Sequence, residues 1–73
     1  MTARVAYDEG TKLAIFSISE AADVANLPLT DKGGSGDAIL YEECAAGSKA
    51  YLTDGSGGTY VLDGKTNSWK GEQ

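Results

Sequence analysis

Apolar and polar positions change rhythm several times along this chain, and the changes divide it into short segments. Residues 4–7 (Arg-Val-Ala-Tyr) and 12–18 (Lys-Leu-Ala-Ile-Phe-Ser-Ile) are rich in β-branched and aromatic side chains, with Asp8, Glu9, Gly10 and Thr11 between them. Two such runs around a cluster of turn formers predict a β-hairpin. Residues 19–26 (Ser-Glu-Ala-Ala-Asp-Val-Ala-Asn) change character. Ser19 can cap a helix, Glu20 suits its positive end and the alanines favour it, so a two-turn helix is expected. It must stop near Leu27, because Pro28 disfavours helical geometry in the residue before it. Residues 30–37, polar and glycine-rich, predict a flexible loop.

The apolar run at 38–41 (Ala-Ile-Leu-Tyr) continues into Glu42 and Glu43 and then alanines, a composition open to strand or short helix. Its Ala and Glu content favours a helix continuing to Ala46 with Gly47 as C-cap, but a third strand is the reading adopted. A second hairpin is expected where residues 49–54 (Lys-Ala-Tyr-Leu-Thr-Asp) and 58–63 (Gly-Thr-Tyr-Val-Leu-Asp) flank Gly55, Ser56 and Gly57. A three-residue loop would set Leu52 opposite Tyr60 and Ala50 opposite Leu62 on one face, with Tyr51 opposite Val61 and Thr53 opposite Thr59 on the other. Both faces then carry large apolar groups, and on so small a protein the second face suggests contact with another chain. Residues 63–68 form a turn leading to Trp69, whose indole should fold back over the hairpin. The chain as a whole is expected to be mainly β, a small antiparallel sheet of two hairpins with one short helix, in a single domain over residues 1–73.

Composition sharpens this picture by showing how thin the core must be. Of the 30 residues in the hydrophobic class, ten are Ala and eighteen are larger aliphatic or aromatic groups. Small scaffolds with so little to bury usually add disulfides, a metal or a partner subunit. Cys44 is the sole cysteine and there is no His, which excludes an internal disulfide and the ordinary zinc sites within one chain. Cys44 is expected to be a small buried apolar group. Association is what remains, as a homo-oligomer or as a multi-copy complex with a larger protein.

Eleven carboxylates against six scattered basic residues leave a net charge of −5. Without a basic stripe to neutralise phosphates, nucleic-acid binding is not expected. The longest apolar runs are far shorter than a membrane span, and no stretch has signal-peptide length, so a soluble chain made in the cytoplasm is expected.

Candidate chemistry is sparse. Gly33-Gly34-Ser35-Gly36 and Gly55-Ser56-Gly57 only superficially resemble a nucleophile elbow, and with no His any base would have to be Lys or a carboxylate. The pairs Asp8-Glu9 and Glu42-Glu43 are adjacent residues, which on a strand point to opposite faces and cannot share a substrate. The sequence around Asp54 lacks the alternating ligands of a calcium loop, and neither glycine run is followed by the Lys-Ser/Thr of a phosphate-binding loop. An enzyme is therefore not expected, and no cofactor is implied. The aromatics are the remaining candidates. Val5, Tyr7, Tyr51, Tyr60, Val61 and Trp69 are the residues expected to meet a partner.

The C-terminal third carries a pattern of its own: Gly47-Ser48-Lys49-Ala50-Tyr51-Leu52-Thr53-Asp54, then Thr59-Tyr60-Val61-Leu62-Asp63-Gly64, then Asn67-Ser68-Trp69. A Gly-Ser start, a hairpin, a Tyr-x-Leu second strand and a final Trp resemble an ending found in very small bacteriophage structural proteins. The resemblance implies a virion component, such as a capsid decoration protein, a head-fibre base or a tail accessory. Such a protein would bind the major capsid protein or another virion protein through its hairpin face and extended N-terminus. Residues 57–63 with 66–69 also resemble one kelch repeat, but a propeller needs several repeats, and the likeness is attributed to convergent hairpin chemistry. The alternative to a virion protein is an acidic inhibitor or regulatory module occupying a basic site on another protein.

Overall fold

Alternation of side chains along residues 14–18 decides how the chain folds. Ala14, Phe16 and Ile18 are buried, while Ile15 is exposed and Ser17 half-buried, so this strand has an inner and an outer face. The computed structural model describes residues 1–72. Five strands, β1 (Thr2–Tyr7), β2 (Ala14–Ile18), β3 (Lys49–Leu52), β4 (Thr59–Asp63) and β5 (Ser68–Glu72), form one sheet in the order β1-β2-β3-β4-β5. The protein is mainly β, as its sequence predicts. The sheet is mixed, however: β2 and β3 run parallel, and the other neighbours are antiparallel. A parallel pair cannot be closed by a tight turn and needs a long crossover. Residues 19–48 provide it, packing across one face of the sheet.

The first hairpin forms as expected, with one irregularity. Arg4 lies opposite Phe16 and Ala6 opposite Ile15, leaving Val5 as the extra residue of a β-bulge. The insertion changes the parity of the strand. Thr2 and Arg4 face the crossover before it, and Tyr7, opposite Ala14, does so after it. The N-terminal segment is thus a paired strand of the sheet instead of an extended arm.

The crossover departs most from expectation. Residues Ala21–Asn26 form a 3-10 helix, and Ser19 does not cap it: the Ser19 and Asp23 side chains meet the Met1 ammonium at 2.6 and 2.7 Å. The helix ends at Leu27, before Pro28, as the proline requires. Residues 30–37 are tied down by backbone bonds from Leu29 N to Lys32 O, Gly34 N to Tyr41 O and Ser35 N to Asn26 O. A Cβ on Gly34 would collide with the carbonyl oxygen of Ala38, which explains glycine there. The third strand expected at 38–43 does not form. Ala38 closes a single 3-10 turn, Gly36–Ala38, and residues 39–46 run on without regular structure. They are held by side chains: Tyr41 packs edge-on against Phe16 with ring centroids 5.6 Å apart, and Cys44 is buried.

The second hairpin has a different register from the one expected. Ala50 lies opposite Tyr60 and Tyr51 opposite Thr59, a shift of two residues. Leu52 N donates to Gly58 O, while Thr53 N donates to Ile18 O and so belongs to the β2 side. The tip is accordingly longer than three residues. Asp54 Oδ1 accepts from Ser56 N and Ser56 Oγ accepts from Gly58 N, so the loop closes on its own side chains. A two-residue shift preserves which face each side chain occupies, so the two-sided pattern survives. Beyond the turn at 64–67, Trp69 belongs to a fifth strand, with Leu62 opposite it. Asn67, at φ 50°, turns the chain and clamps it to the crossover by accepting from Thr30 N and donating to Asp31 Oδ1.

The core lies between sheet and crossover. Phe16, Ile18, Ala50 and Leu62 from the strands meet Leu27 and Cys44 from above. Trp69 stands edge-on to Phe16 at 6.0 Å, and its indole N–H donates to Pro28 O at 2.8 Å. Ser48, buried, accepts from Ala14 N and donates to Ala45 O. The shortest principal extent is 18 Å, room for the sheet and one covering layer at the usual spacing of about 10 Å.

Candidate interaction surface

Because the crossover covers one face only, the opposite face of the sheet is left without a layer. Register assigns its side chains. Ala3, Ser17, Tyr51, Thr59 and Glu72 form one row across the strands by register. Ala6, Ile15, Lys49, Val61 and Lys70 form the next. Ile15 is 36% and Tyr51 41% exposed, and Val61 is half-buried among its neighbours. β1 contributes only Ala3 and Ala6 to these rows. Its described charges are Lys49, Lys70 and Asp63, with Lys70 Nζ 3.1 Å from Asp63 Oδ2. The Lys65 backbone N–H, then Lys70, hold the Asp63 carboxyl below its usual range.

The residues expected to meet a partner divide between the two sides. Tyr51 and Val61 stand on the open face, and Val5, at the bulge of the edge strand, is 62% exposed. Tyr7, Tyr60 and Trp69 pack against the core beneath the crossover. There Tyr7 lies under the Arg4 guanidinium, 4.3 Å from the ring centroid, and burial together with the nearby Glu42 carboxylate pushes its hydroxyl pKa up. Five exposed apolar residues, Met1, Leu13, Ile15, Ile39 and Leu40, escaped the sequence reading. Ile15 follows from the alternation that buries Phe16. Ile39 and Leu40, 71% and 87% exposed, were hidden by assigning their run to a strand.

Groups that resemble reactive ones in the sequence have structural duties. Asp8 Oδ1 accepts from Gly10 N and Thr11 N and so shapes the first hairpin turn. Asp54 shapes the second, and the Ser56 hydroxyl and amide hold its carboxyl below the usual range. Cys44 is 2% exposed, and burial raises its thiol pKa, which suppresses the reactive thiolate. Among the described residues there is no cavity and no cluster of metal-ligating side chains. On the open face Ile15, Tyr51 and Val61 stand beside Lys49 and Lys70. Comparison of the chain with protein-family models, curated proteins and solved structures finds no match.

Proposed function

We propose that this chain is a non-enzymatic structural module of a multi-copy protein assembly, in which it is held by burying the open face of its sheet against protein. The observation that carries the reading is the missing layer. A β-sheet of this kind is stable when its apolar face is covered, and here one side has a crossover while the other presents Ile15, Tyr51 and Val61. The likeness of residues 47–69 to the ending of small phage structural proteins supports a virion as the setting, as a capsid decoration, head-fibre or tail accessory protein. Its partner would then be the major capsid protein or another virion protein.

Quantitative mass spectrometry of phage particles purified from cells carrying the gene tests this. The chain should be present in many copies per particle, and Tyr51→Glu should remove it while leaving its circular dichroism unchanged. A chain absent from particles but bound to one soluble protein would overturn the virion reading in favour of an inhibitor.

A further inference from the structure

Charge on this molecule is as unevenly distributed as apolar surface. The crossover, residues 19–48, carries six carboxylates, Glu20, Asp23, Asp31, Asp37, Glu42 and Glu43, and one basic residue, Lys32. That excess accounts for the whole net charge of −5, since acids and bases balance in the rest of the chain. β1 brings two cations against the crossover, the Met1 ammonium beside Asp23 and Asp37 and the Arg4 guanidinium beside Tyr41. Crediting both to it still leaves three carboxylates in excess. Among the described residues Glu20, Asp31, Glu42 and Glu43 enter no ion pair. The large apolar side chains most exposed apart from Met1, Ile39 and Leu40, belong to this same acidic layer. Their turn is held at both ends. Ala38 is fully buried, Tyr41 packs against Phe16 while its hydroxyl accepts from Arg4 N, and Tyr41 N donates to Ala38 O at 3.0 Å. The result is a preorganised apolar protrusion, with exposed Asp37 two residues before it and exposed Glu42 two residues after it.

We propose that this protrusion is a docking site of its own, and that its partner is a basic protein surface whose apolar patch is bordered by Lys or Arg. Ile39 and Leu40 cover the patch, and the carboxylates of Asp37, Glu42 and Glu43 meet the cations at its rim. Charge selects this partner. The crossover's carboxylate excess repels a second crossover and any other acidic surface, and it steers a basic one onto the turn. The aliphatic pair selects a protein over a bare polycation, which offers Leu40 no apolar area to bury. An apolar centre inside a charged rim is also the ordinary anatomy of a protein interface. None of these residues belongs to the open sheet face, so the proposal does not rest on the reading of that face and adds a second contact to it.

A synthetic amphipathic helix, leucine on one face and lysine on the other, carries both features of this partner and serves as the probe. Titrated into the isotope-labelled chain and followed by NMR, it should move the amide signals of residues 37–43, and binding should weaken as salt is raised. Leu40→Ser should reduce affinity by about tenfold or more, and so should the pair Glu42→Gln with Glu43→Gln. These side chains are solvent-facing or partly so, and an unchanged circular dichroism spectrum verifies that each variant is folded. Ile39→Ser repeats the test if Leu40→Ser is not. A matched peptide with glutamate in place of lysine should not bind. Equal binding of that peptide would remove charge from the selection, and affinity that ignores both Leu40→Ser and Ile39→Ser would remove the protrusion; either result overturns the proposal. So does an absence of binding at millimolar peptide, or shifts confined to Ile15, Tyr51 and Val61. Tyr51→Glu separates the two readings: it should leave this titration unchanged whether or not it removes the chain from particles, and a Tyr51→Glu chain that no longer binds the peptide would overturn the docking site proposed here.

Discussion

Ile15 and Phe16 are neighbours in one strand, similar in apolar character, and their fates differ completely. Phe16 is fully buried and touches aromatic rings from two directions, Tyr41 on the crossover and Trp69 on β5. Ile15, one residue earlier, faces outward beside Lys49 with no layer above it. The same contrast runs across the sheet, Ala50 against Tyr51 and Leu62 against Val61. Strand alternation distributes apolar residues to both sides, but only an opposing layer turns them into a core. In this protein a 30-residue crossover, residues 19–48, supplies that layer on one side and nothing within the described chain supplies it on the other.

The sharpest way to break this comparison is to truncate both neighbours and measure unfolding by urea. Phe16→Ala should cost about 3–5 kcal/mol, the range for deleting a buried aromatic side chain, which is a large part of the total for a small domain. Ile15→Ala should cost less than about 1 kcal/mol in the isolated chain, because the position is already partly wet. Similar losses at both positions would show that the open face contributes to the fold as the covered one does.

The two tyrosines of the second hairpin give a finer version. Tyr60 is packed against the core and Tyr51 stands on the open face. Tyr60→Ala should destabilise the isolated chain by roughly 1–3 kcal/mol, against about 0.5 kcal/mol for Tyr51→Ala. In an assembly assay the order should reverse, with Tyr51→Ala the more damaging relative to its effect on stability. Equal ratios in both assays would make Tyr51 an ordinary fold residue.

How far this division was legible in the sequence depends on the range of the interactions involved. Local signals worked: turn residues at 8–11 and 55–58 mark hairpins, and Pro28 marks the end of a helical segment. Alternation in residues 50–52 and 60–62 correctly implies that the second hairpin is apolar on two sides. The pairing of β2 with β3 was not legible, because parallel register is set across the whole crossover and leaves no local period. The crossover itself misled for a related reason. Residues 38–43 have strand-like composition, yet none of them pairs with a sheet strand, and the buried Ala38 and Cys44 with the half-buried Tyr41 fix an irregular path instead. The fifth strand was obscured by its own polarity, Ser-Trp-Lys-Gly-Glu at the sheet edge, where one side of the backbone needs no partner strand.

At the smallest scale the comparison comes down to ion pairs: Lys70 with Asp63 on the open face, and on the crossover side the Met1 ammonium with Asp23 and, at 3.4 Å, with Asp37. Lys70 and Asp63 on the open face are substantially exposed, and such pairs contribute little. On the crossover side the Met1 ammonium donates to Asp23 and Ser19, and Asp23 also receives the Ser19 hydroxyl. The hydrogen bond with the ammonium holds the Asp23 carboxyl below its ordinary 3.8, and the same bond raises the ammonium above its ordinary 8.0. A carboxyl depressed by folding contributes stability that is present above its unfolded pKa and lost as pH falls through the folded value. A raised ammonium contributes below its unfolded pKa and loses it as pH rises through the folded value. The pair should therefore stabilise the fold most between those two ordinary values and weaken on either side. Asp23→Asn should lower Tm relative to the native chain by a modest amount throughout that window, and the difference should shrink as the carboxyl protonates in acid and as the ammonium deprotonates in alkali. A difference that stays constant across both limits would assign the role of Asp23 to packing under the crossover, and would leave its pair with the ammonium, like the pair on the open face, of little weight in the fold.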